Sequence, residues 1–392
     1  MTESRGSTRP ATQSTRIALV VTTGRTAHGF VSGFANFLAS RNNEVFVLAG
    51  AVEDIEDIQG EGAHYVPLPF ERDPHPVKDL RSLVLLIRAL RAIRPDVVAY
   101  ATPKASLLTA VASFALRVPR RVYQLWGLRL ETVGGMRRSV LCLAERLTSC
   151  LSSAIIANSP SLAAAYTRLG LNCGRQVEVV GAGSSHGVDL QRFSRKAEVP
   201  KLDDATKEYL ENHQGLRIGF VGRMHPDKGV DTLLDAAEGC RRSGTDVAVI
   251  LVGGDEGFDW ERHLADGGVA ARVVGRVSDP RPYYEAMDVL VLPSRREGFP
   301  NVVLEAAAMG VPAIVSDATG AIDSVVHGVT GLVVPVGDSA ALTIALSSLA
   351  HDPLLRSELG TRARDRAEKH FDQAAVWRKN AHALLSPFGG RP

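Results

Sequence analysis

Segments typical of β-strands alternate with segments of helical spacing along nearly the whole chain, and this order constrains the fold most strongly. In the first half, β-branched and aliphatic runs predict strands, with amphipathic helices between them. The predicted strands are residues 17–21, 44–48, 63–66, 96–100, 121–124 and 154–157, and the predicted helices are residues 30–39, 80–93, 106–116, 139–151 and 159–169. Such alternation favours a parallel sheet with helices on both faces.

The alternation stops at a polar, charge-rich stretch, residues 196–214, and then begins again. The second half has predicted strands at residues 216–221, 247–252, 273–274, 290–292 and 313–315, and predicted helices at 230–237, 281–286, 302–309, 340–350, 353–369 and 373–385. We therefore predict an α/β fold of two Rossmann-like domains, residues 16–195 and 196–372, with a loose tail at residues 1–15. Ligands of such sheets bind beyond the carboxyl ends of the strands, which here would face across a cleft.

Composition and charge exclude several classes of protein. The 392 residues are 45% hydrophobic and 22% charged, with a net charge of +2, so neither a disordered chain nor a strongly basic nucleic-acid binder is indicated. The net charge is +8 over residues 1–195 and −6 over the remainder. This asymmetry indicates either two domains that face different partners or ordinary surface variation.

The cysteine spacing and the polar first 15 residues predict a cytoplasmic location. Cys142, Cys150, Cys173 and Cys240 form no C-x-x-C pair, which favours reduced core thiols. The first 15 residues lack the apolar run of a signal peptide. No charge-free stretch reaches the roughly 18 apolar residues that a membrane span requires.

Common catalytic motifs are missing from the sequence. It contains no G-x-x-x-x-G-K-[ST], no G-x-G-x-x-G and no H-E-x-x-H, nor any Cys/His cluster with zinc spacing. Walker-type ATP hydrolysis, nicotinamide hydride transfer and metalloprotease chemistry therefore lose their sequence support. No Asp-x-Asp motif is present to hold a metal ion.

Two groups of residues in the second half, which we call the two constellations, are suited to binding a ligand. The first is a loop that directly follows a predicted strand, where Gly222 allows a tight turn and Arg223 and Lys228 lie five residues apart. Both cations can converge on a diphosphate, the arginine as a planar fork and the lysine as a point charge. The alternative is a solvated loop with surface charges.

The second constellation runs from residue 294 to residue 310. Pro300 suits the first position of a helix, whose free N–H groups favour an anion. Glu297 precedes this helix, and Glu305 lies a little over a turn inside it. A carboxylate accepts two hydrogen bonds at once, which suits the vicinal hydroxyls of a sugar or ribose. The alternative is a pair of surface glutamates.

These residues resemble the retaining glycosyltransferases of family 4, which have the two-Rossmann GT-B fold. The E-x7-E spacing of Glu297 and Glu305 matches, as do the loop with Arg223 and Lys228 and residues 283–294 and 320–338. Residues 102–104, 123–129 and 183–193 are similar to bacterial enzymes that build capsule, exopolysaccharide or lipid-linked glycans.

The resemblance implies a role for each matching position. Arg223 and Lys228 would hold the diphosphate of a nucleotide-sugar donor, and Glu305 would accept from its ribose. The donor sugar and its phosphate would contact Glu297, Gly298, Phe299, Pro300 and Asn301. The base would lie against Arg276 and Val277, and Gly24 would approach the phosphates from the other domain. The helix at residues 373–392 would cross back onto the first domain.

This chain also departs from the family pattern at two positions. Trp126 stands where the subgroup often has His, and His186 where it often has Asn. The family's catalytic role for a histidine near the sugar therefore cannot be placed on Trp126. These departures bear on the acceptor-side and sugar-side contacts that the resemblance implies, and not on the diphosphate site.

The expected function is transfer of a hexose or N-acetylhexosamine from a UDP-sugar to a hydroxyl acceptor on a lipid-linked glycan. The resemblance implies retention of anomeric configuration, and the two cations in place of a metal predict metal-independent transfer without a cofactor. An arginine-rich surface within residues 81–146 would contact anionic lipid at the inner face of the plasma membrane, unless it is only solvated. The alternatives are a transferase for a soluble acceptor, a nucleotide-sugar epimerase, and a non-catalytic nucleotide-sugar binder.

Overall fold

The computed structural model describes residues 14–51, 62–71, 75–260 and 269–386. They form two parallel sheets with helices on both faces, which confirms the predicted α/β class. Of the predicted tail, only residues 14 and 15 lie within the described ranges. Residues 387–392 of the segment expected to cross back also lie outside them.

The first sheet has seven strands in the order β3-β2-β1-β4-β5-β6-β7. All six pairs of neighbouring strands in it are parallel. Its strands are β1 Arg16–Val20, β2 Glu44–Ala49, β3 Ala63–Pro67, β4 Val97–Tyr100, β5 Arg120–Leu125, β6 Ala154–Ala157 and β7 Val177–Val179.

The second sheet has six strands in the order β10-β9-β8-β11-β12-β13. Its strands are β8 Leu216–Val221, β9 Val247–Val252, β10 Ala271–Gly275, β11 Val289–Leu292, β12 Ala313–Ser316 and β13 Gly331–Val334. Strand β9 is buried at every position, as a central parallel strand covered on both faces must be.

The helices of the first half are α1 Gly24–Thr26, α2 Ser32–Ala39, α3 Pro76–Ile93, α4 Pro103–Ala115, α5 Gly135–Leu151 and α6 Pro160–Arg168. Those of the second half are α7 Asp204–Glu211, α8 Val230–Arg242, α9 Arg281–Ala286, α10 Asn301–Ala308, α11 Ser339–His351, α12 Pro353–His370 and α13 Gln373–Leu385. A π-helical turn, Ala27–Val31, joins α1 to α2. Ser159 is the N-cap of α6, with its side chain accepting from the backbone N–H of Leu162.

Residues 196–214 were predicted to form only a polar connection, but they contain helix α7. Asp203 caps this helix by accepting from Thr206, and Thr206 and Leu210 are its buried residues. Tyr209 donates to the carbonyl of Ala270, 2.9 Å away, beside β10. A helix with only two buried positions has too weak an apolar period for the sequence to reveal it.

A disulfide between Cys150 and Cys173 is a second correction, because the sequence analysis predicted reduced thiols. The pair joins the end of α5 to the turn after α6, across 23 residues of sequence. Only the packing of α5 beside that turn brings the two Cα atoms within 5.4 Å. Cys142 and Cys240 are free.

Helix α13 follows the second sheet in sequence but packs on the first. It contacts α2 and β4. The guanidinium of Arg120, on β5, donates to the backbone carbonyls of Ala383 and Leu384, and Trp377 lies against Gly33 of α2. None of the helices in the described part of the chain combines the length and the apolar character that a membrane crossing requires.

Candidate active site

The candidate site lies where the strand order of the second sheet reverses, between β8 and β11. The loops after these neighbouring strands carry the two constellations found in the sequence. Such a reversal leaves a crevice at the carboxyl edge, which is where open α/β sheets bind ligands.

Glycine allows the two loops to approach each other. Gly222 ends β8 with φ 157°, and Gly229 has φ 68°, both in the region that favours glycine. A Cβ atom on Gly229 would lie 2.1 Å from the carbonyl oxygen of Pro293 on the other loop. A side chain at this position would therefore push the loops apart.

Lys228 and Glu297 form an ion pair across this crevice. The ammonium Nζ lies 2.6 Å from Glu297 Oε1, and the Ser294 hydroxyl donates to the same oxygen over 2.7 Å. The two charged side chains are only 16% and 12% exposed, so water screens their interaction weakly. Within the described residues, Glu297 Oε2 accepts no hydrogen bond and is available to a ligand hydroxyl.

Asp227 holds the turn that carries Lys228. It pairs with Arg296 at 2.6 Å and with the His225 ring at 2.7 Å. Burial works to raise the pKa of Asp227, but the charges of Arg296, Lys228 and His225 outweigh it, and the pKa lies below its usual value. The ionised carboxylate thus keeps the turn in place at neutral pH.

Arg223 lies on the same loop and is paired with an acid. Its guanidinium donates to Glu256 Oε2 over 2.7 Å. The other oxygen, Glu256 Oε1, lies 3.5 Å from Arg25, which follows β1 in the first lobe, the part of the chain built around the first sheet. A carboxylate held by arginines from the two lobes marks a position that suits an anion. Arg223 is 40% exposed and remains accessible to a ligand.

Glu305 lies inside α10, whose first turn opens onto the crevice. Pro300 is the N-cap of the helix, and in the described part of the chain its side chain makes no capping hydrogen bond to the first N–H groups. The Tyr284 hydroxyl donates to Glu305 Oε2 over 2.7 Å. Burial raises the pKa of the Glu305 carboxyl, although the bond from Tyr284 opposes this shift. Its other oxygen makes no hydrogen bond within the described residues.

The remaining candidate residues lie around the same edge. Arg276 and Val277 follow β10, and the Arg276 guanidinium lies beside Gly254 after β9. Gly298 and Phe299 are buried, and Asn301 is half-buried at the start of α10. Gly24 is buried at the carboxyl end of β1, where the Thr23 side chain caps the turn.

Gly298 also lies at a close approach between the lobes. A Cβ on it would lie 1.9 Å from the carbonyl oxygen of Trp126, and Gly127 is next to it. Nearby, Thr319 donates to Glu131 over 2.7 Å, and Ser161 accepts from the backbone N–H of Gly320 over 2.8 Å. The loop that carries Glu297 is therefore packed against the first lobe.

An aromatic cluster lies beside this contact. Phe30, on the π-helical turn, is within 6.4 Å of the Trp126 ring and 6.1 Å of the His186 ring, and His186 is 6.1 Å from Trp377. Burial lowers the pKa of His186, which keeps its ring neutral. Trp126 Nε1 and His186 Nδ1 are buried and have no hydrogen-bond partner among the residues that the structure describes.

Comparisons with known proteins agree with this architecture. A family model described as glycosyl transferases group 1 matches residues 215–352, and one described as a glycosyl transferase 4-like domain matches residues 24–183. The chain is 33% identical over 349 residues to the capsular polysaccharide biosynthesis glycosyltransferase CapM of Staphylococcus aureus, covering 88% of this chain and 90% of CapM. The chain therefore belongs to the glycosyltransferase family that these two models and CapM represent.

A further relative of this glycosyltransferase matches over a shorter range. The GDP-mannose-dependent alpha-(1-6)-phosphatidylinositol monomannoside mannosyltransferase of Mycolicibacterium smegmatis is 32% identical over 221 residues, 52% of this chain and 55% of the relative. Among solved structures, Anabaena HepE in complex with UDP-glucose superposes with a TM-score of 0.75 at 22% identity, covering 95% of this chain and all of HepE. WaaG, involved in lipopolysaccharide biosynthesis, gives 0.71 at 16% identity, covering 95% of this chain and all of WaaG. These likenesses confirm the predicted GT-B fold.

Several residues of the glycosyltransferase site were missed in the sequence. Glu256, Tyr284 and Ser294 contact Arg223, Glu305 and Glu297 in turn, but each is an ordinary residue with no motif around it. Phe30 belongs to the predicted helix at residues 30–39, and nothing in its spacing separates it from core positions. Trp126 and His186 were identifiable only as departures from a family pattern.

Proposed function

We propose that this glycosyltransferase moves a hexose or N-acetylhexosamine from a UDP-sugar to a hydroxyl of a lipid-linked glycan. The observation that carries the proposal is the shielded Lys228–Glu297 pair at the strand-order reversal, beside the uncapped start of α10. The choice of UDP is supported by HepE, which has been solved with UDP and UDP-glucose. The choice of a cell-surface glycan is supported by CapM.

The donor is held by charge and by directed acceptors. Arg223 and Lys228 bind the diphosphate, which takes the place of the Glu256 carboxylate on Arg223. The backbone N–H groups at the start of α10 face the phosphate nearest the sugar. Glu305 accepts from the ribose hydroxyls, and Glu297 Oε2 accepts from a sugar hydroxyl.

In the transfer step, the bond between the anomeric carbon and the β-phosphate oxygen breaks, and the electron pair stays on the phosphate. Arg223, Lys228 and the helix start stabilise the growing negative charge, and one such preorganised donor contributes roughly 3 kcal/mol in a dry site. The acceptor oxygen bonds to the anomeric carbon, and its proton passes to the leaving phosphate. We propose that the configuration is retained, and anomeric NMR of the product tests this against inversion.

We further propose that the reaction needs no metal ion, because the two cations already neutralise the diphosphate. The expected result is an unchanged rate of UDP release in EDTA. A strict requirement for Mn²⁺ would contradict it.

The nucleotide is the first part of the proposal to test. Purified protein is heated with UDP and, separately, with GDP. We expect UDP to raise the unfolding temperature more, because a ligand stabilises by RT ln(1 + [L]/Kd). A larger shift with GDP would overturn the assignment of UDP.

Transfer itself is tested by a screen of UDP-sugars that measures UDP release with and without a polyprenyl-diphosphate-linked acceptor. We expect release to require that acceptor. Conversion of the donor with no acceptor would indicate an epimerase. UDP binding without release from any donor would indicate a binding protein, and release onto a small soluble acceptor alone would remove the lipid-linked glycan from the proposal.

A further inference from the structure

Two loops at the carboxyl edge of the second sheet hold Arg223 and Glu256 opposite each other. The loops follow β8 and β9, which are neighbouring parallel strands. The backbone N–H of Met224 donates to the carbonyl of Gly254 over 2.9 Å, and the N–H of Glu256 donates to the carbonyl of Met224 over 3.0 Å. The backbone therefore places the Glu256 carboxylate beside the Arg223 guanidinium.

The Glu256 carboxylate lies between guanidinium groups that belong to different lobes. Its Oε2 accepts from Arg223 over 2.7 Å, and its Oε1 lies 3.5 Å from the Arg25 guanidinium. Arg25 directly follows Gly24 at the carboxyl end of β1, so this contact crosses the cleft between the lobes. Glu256 is only 18% exposed, whereas Arg223 is 40% and Arg25 70% exposed. A shielded carboxylate thus occupies an anion position whose two cations are accessible to a ligand.

Arg223 and Arg25 can offer this position to only one anion at a time. Guanidinium groups bind carboxylate and phosphate oxygens with the same N–H groups, so Glu256 and a diphosphate compete for them. Two anions in a crevice that is shielded from water also repel each other strongly. A diphosphate that binds Arg223 must therefore displace the carboxylate.

Displacement requires only a rotation of the Glu256 side chain. Its backbone is held by the bond to Met224, but the torsions of the side chain have several staggered positions. The space beside the next residue, Gly257, is open, because a Cβ there would meet no atom of the described residues within 4 Å. The carboxylate can therefore leave Arg223 while its loop stays in place.

We propose that Glu256 is an internal competitor of the donor diphosphate, and that Arg25 binds this diphosphate from the first lobe. Without a donor, the carboxylate neutralises Arg223 and Arg25. The donor binds against this competition, which lowers its affinity, and it then joins the two lobes through both arginines. The inference rests on the proposed function in one respect, which is that the donor carries a diphosphate.

The test of the competition is the Kd for UDP, measured by isothermal titration calorimetry on the full chain. We expect Glu256→Gln to lower this Kd about fivefold, because a neutral amide competes weakly for Arg223. A higher Kd would show that the carboxylate positions Arg223 for the donor. An unchanged Kd would show that the two anions do not compete, and either result would overturn the proposal.

Glu238→Gln is the matched control for Glu256. Glu238 lies on α8, is 15% exposed and pairs with Arg241 at 2.7 Å, so the variant removes the same charge from a carboxylate of similar exposure and pairing. It should leave the Kd for UDP unchanged. An equal fall in Kd in this control would assign the effect to net charge and would overturn the competition.

The test of Arg25 is a double-mutant cycle with Glu256. We expect Arg25→Gln to raise the Kd for UDP about fivefold, both alone and in the Glu256→Gln background, because the guanidinium binds the diphosphate itself. If the effect disappears in that background, Arg25 acts only through Glu256 and does not bind the donor. The control is Arg242→Gln, at a position 69% exposed and 3.8 Å from Glu238, which should leave the Kd unchanged.

Titration of the unaltered protein separates this proposal from the proposed function. If the protein binds GDP and not UDP, the assignment of UDP fails, and the same variants titrated with GDP test the competition. If UDP binds equally to all variants, the internal competitor fails and the assignment of UDP stands. If neither nucleotide binds, both proposals are overturned.

Discussion

Lys228 is the side chain with the largest expected effect on the reaction. Its ammonium is shielded, paired with Glu297 and held on a short turn. We expect Lys228→Met to lower kcat/KM about 10² to 10³-fold, because one preorganised cation is lost where charge develops. Steady-state UDP release measures this effect.

Lys207→Met provides the control for Lys228. Lys207 is 66% exposed and lies 3.9 Å from Glu211 on α7, so its loss should leave kcat/KM unchanged. If Lys228→Met releases UDP at the full rate, the cation does not stabilise the leaving diphosphate.

Helix α5 is fastened at its end by the Cys150–Cys173 disulfide. Closing a loop of this length removes chain entropy from the unfolded state, and the loss of the bond should cost about 3 kcal/mol. We expect Cys150→Ser to lower the free energy of unfolding by that amount. Urea unfolding followed by circular dichroism measures it, and Cys142→Ser on the same helix should have little effect because that thiol is free.

The inner side of α5 carries Glu145 in a buried hydrogen-bond network. Tyr123 donates to its Oε2 over 2.7 Å and Tyr166 over 3.2 Å. Burial raises the pKa of Glu145 above its usual value, although both bonds oppose the shift. The folded state therefore favours the protonated acid, so this contribution to stability is complete below the unfolded pKa of glutamate and is lost as the pH rises through the folded pKa.

Glu145→Gln tests this pH dependence. Glutamine accepts the same bonds but does not ionise, so the variant should gain stability relative to the unaltered protein as the pH increases from 4 to 8 (about the range that spans a raised carboxyl pKa). The difference in unfolding free energy is measured at each pH. A constant difference across the range would show that burial does not perturb this carboxyl.

The two lobes meet closely at Gly298, where an added methyl would overlap the Trp126 carbonyl. Gly298→Ala must therefore shift the loop that carries Glu297 away from the first lobe. We expect kcat/KM to fall about 10²-fold, as a misplacement near 1 Å can produce. Gly134→Ala, where a Cβ meets nothing within 4 Å, should retain activity, and equal activity of both variants would contradict this account.

Largely buried strands were predictable because apolar residues occupy most of their positions. Strands β6, β8 and β9 match the predicted residues 154–157, 216–221 and 247–252. The short edge strands β7 and β13 were missed, since β7 has only three half-buried residues and β13 begins at a glycine. Edge strands take their conformation from a neighbouring strand, which local sequence does not encode.

Local order in the chain predicted the α/β class, the place where the second alternation begins, and Arg223, Lys228, Glu297 and Glu305 as candidate site residues. Each of these follows from periodicity or from spacing within about fifteen residues, and such local patterns reflect the helical and strand repeats directly. The contacts of those side chains required the folded chain. Lys228 and Glu297 are 69 residues apart, Arg25 and Glu256 are 231 apart, and Cys150 meets Cys173 only after α5 and α6 have packed. Long-range neighbours are set by the order of strands in a sheet and by the packing of one lobe against the other, and no local repeat carries that information.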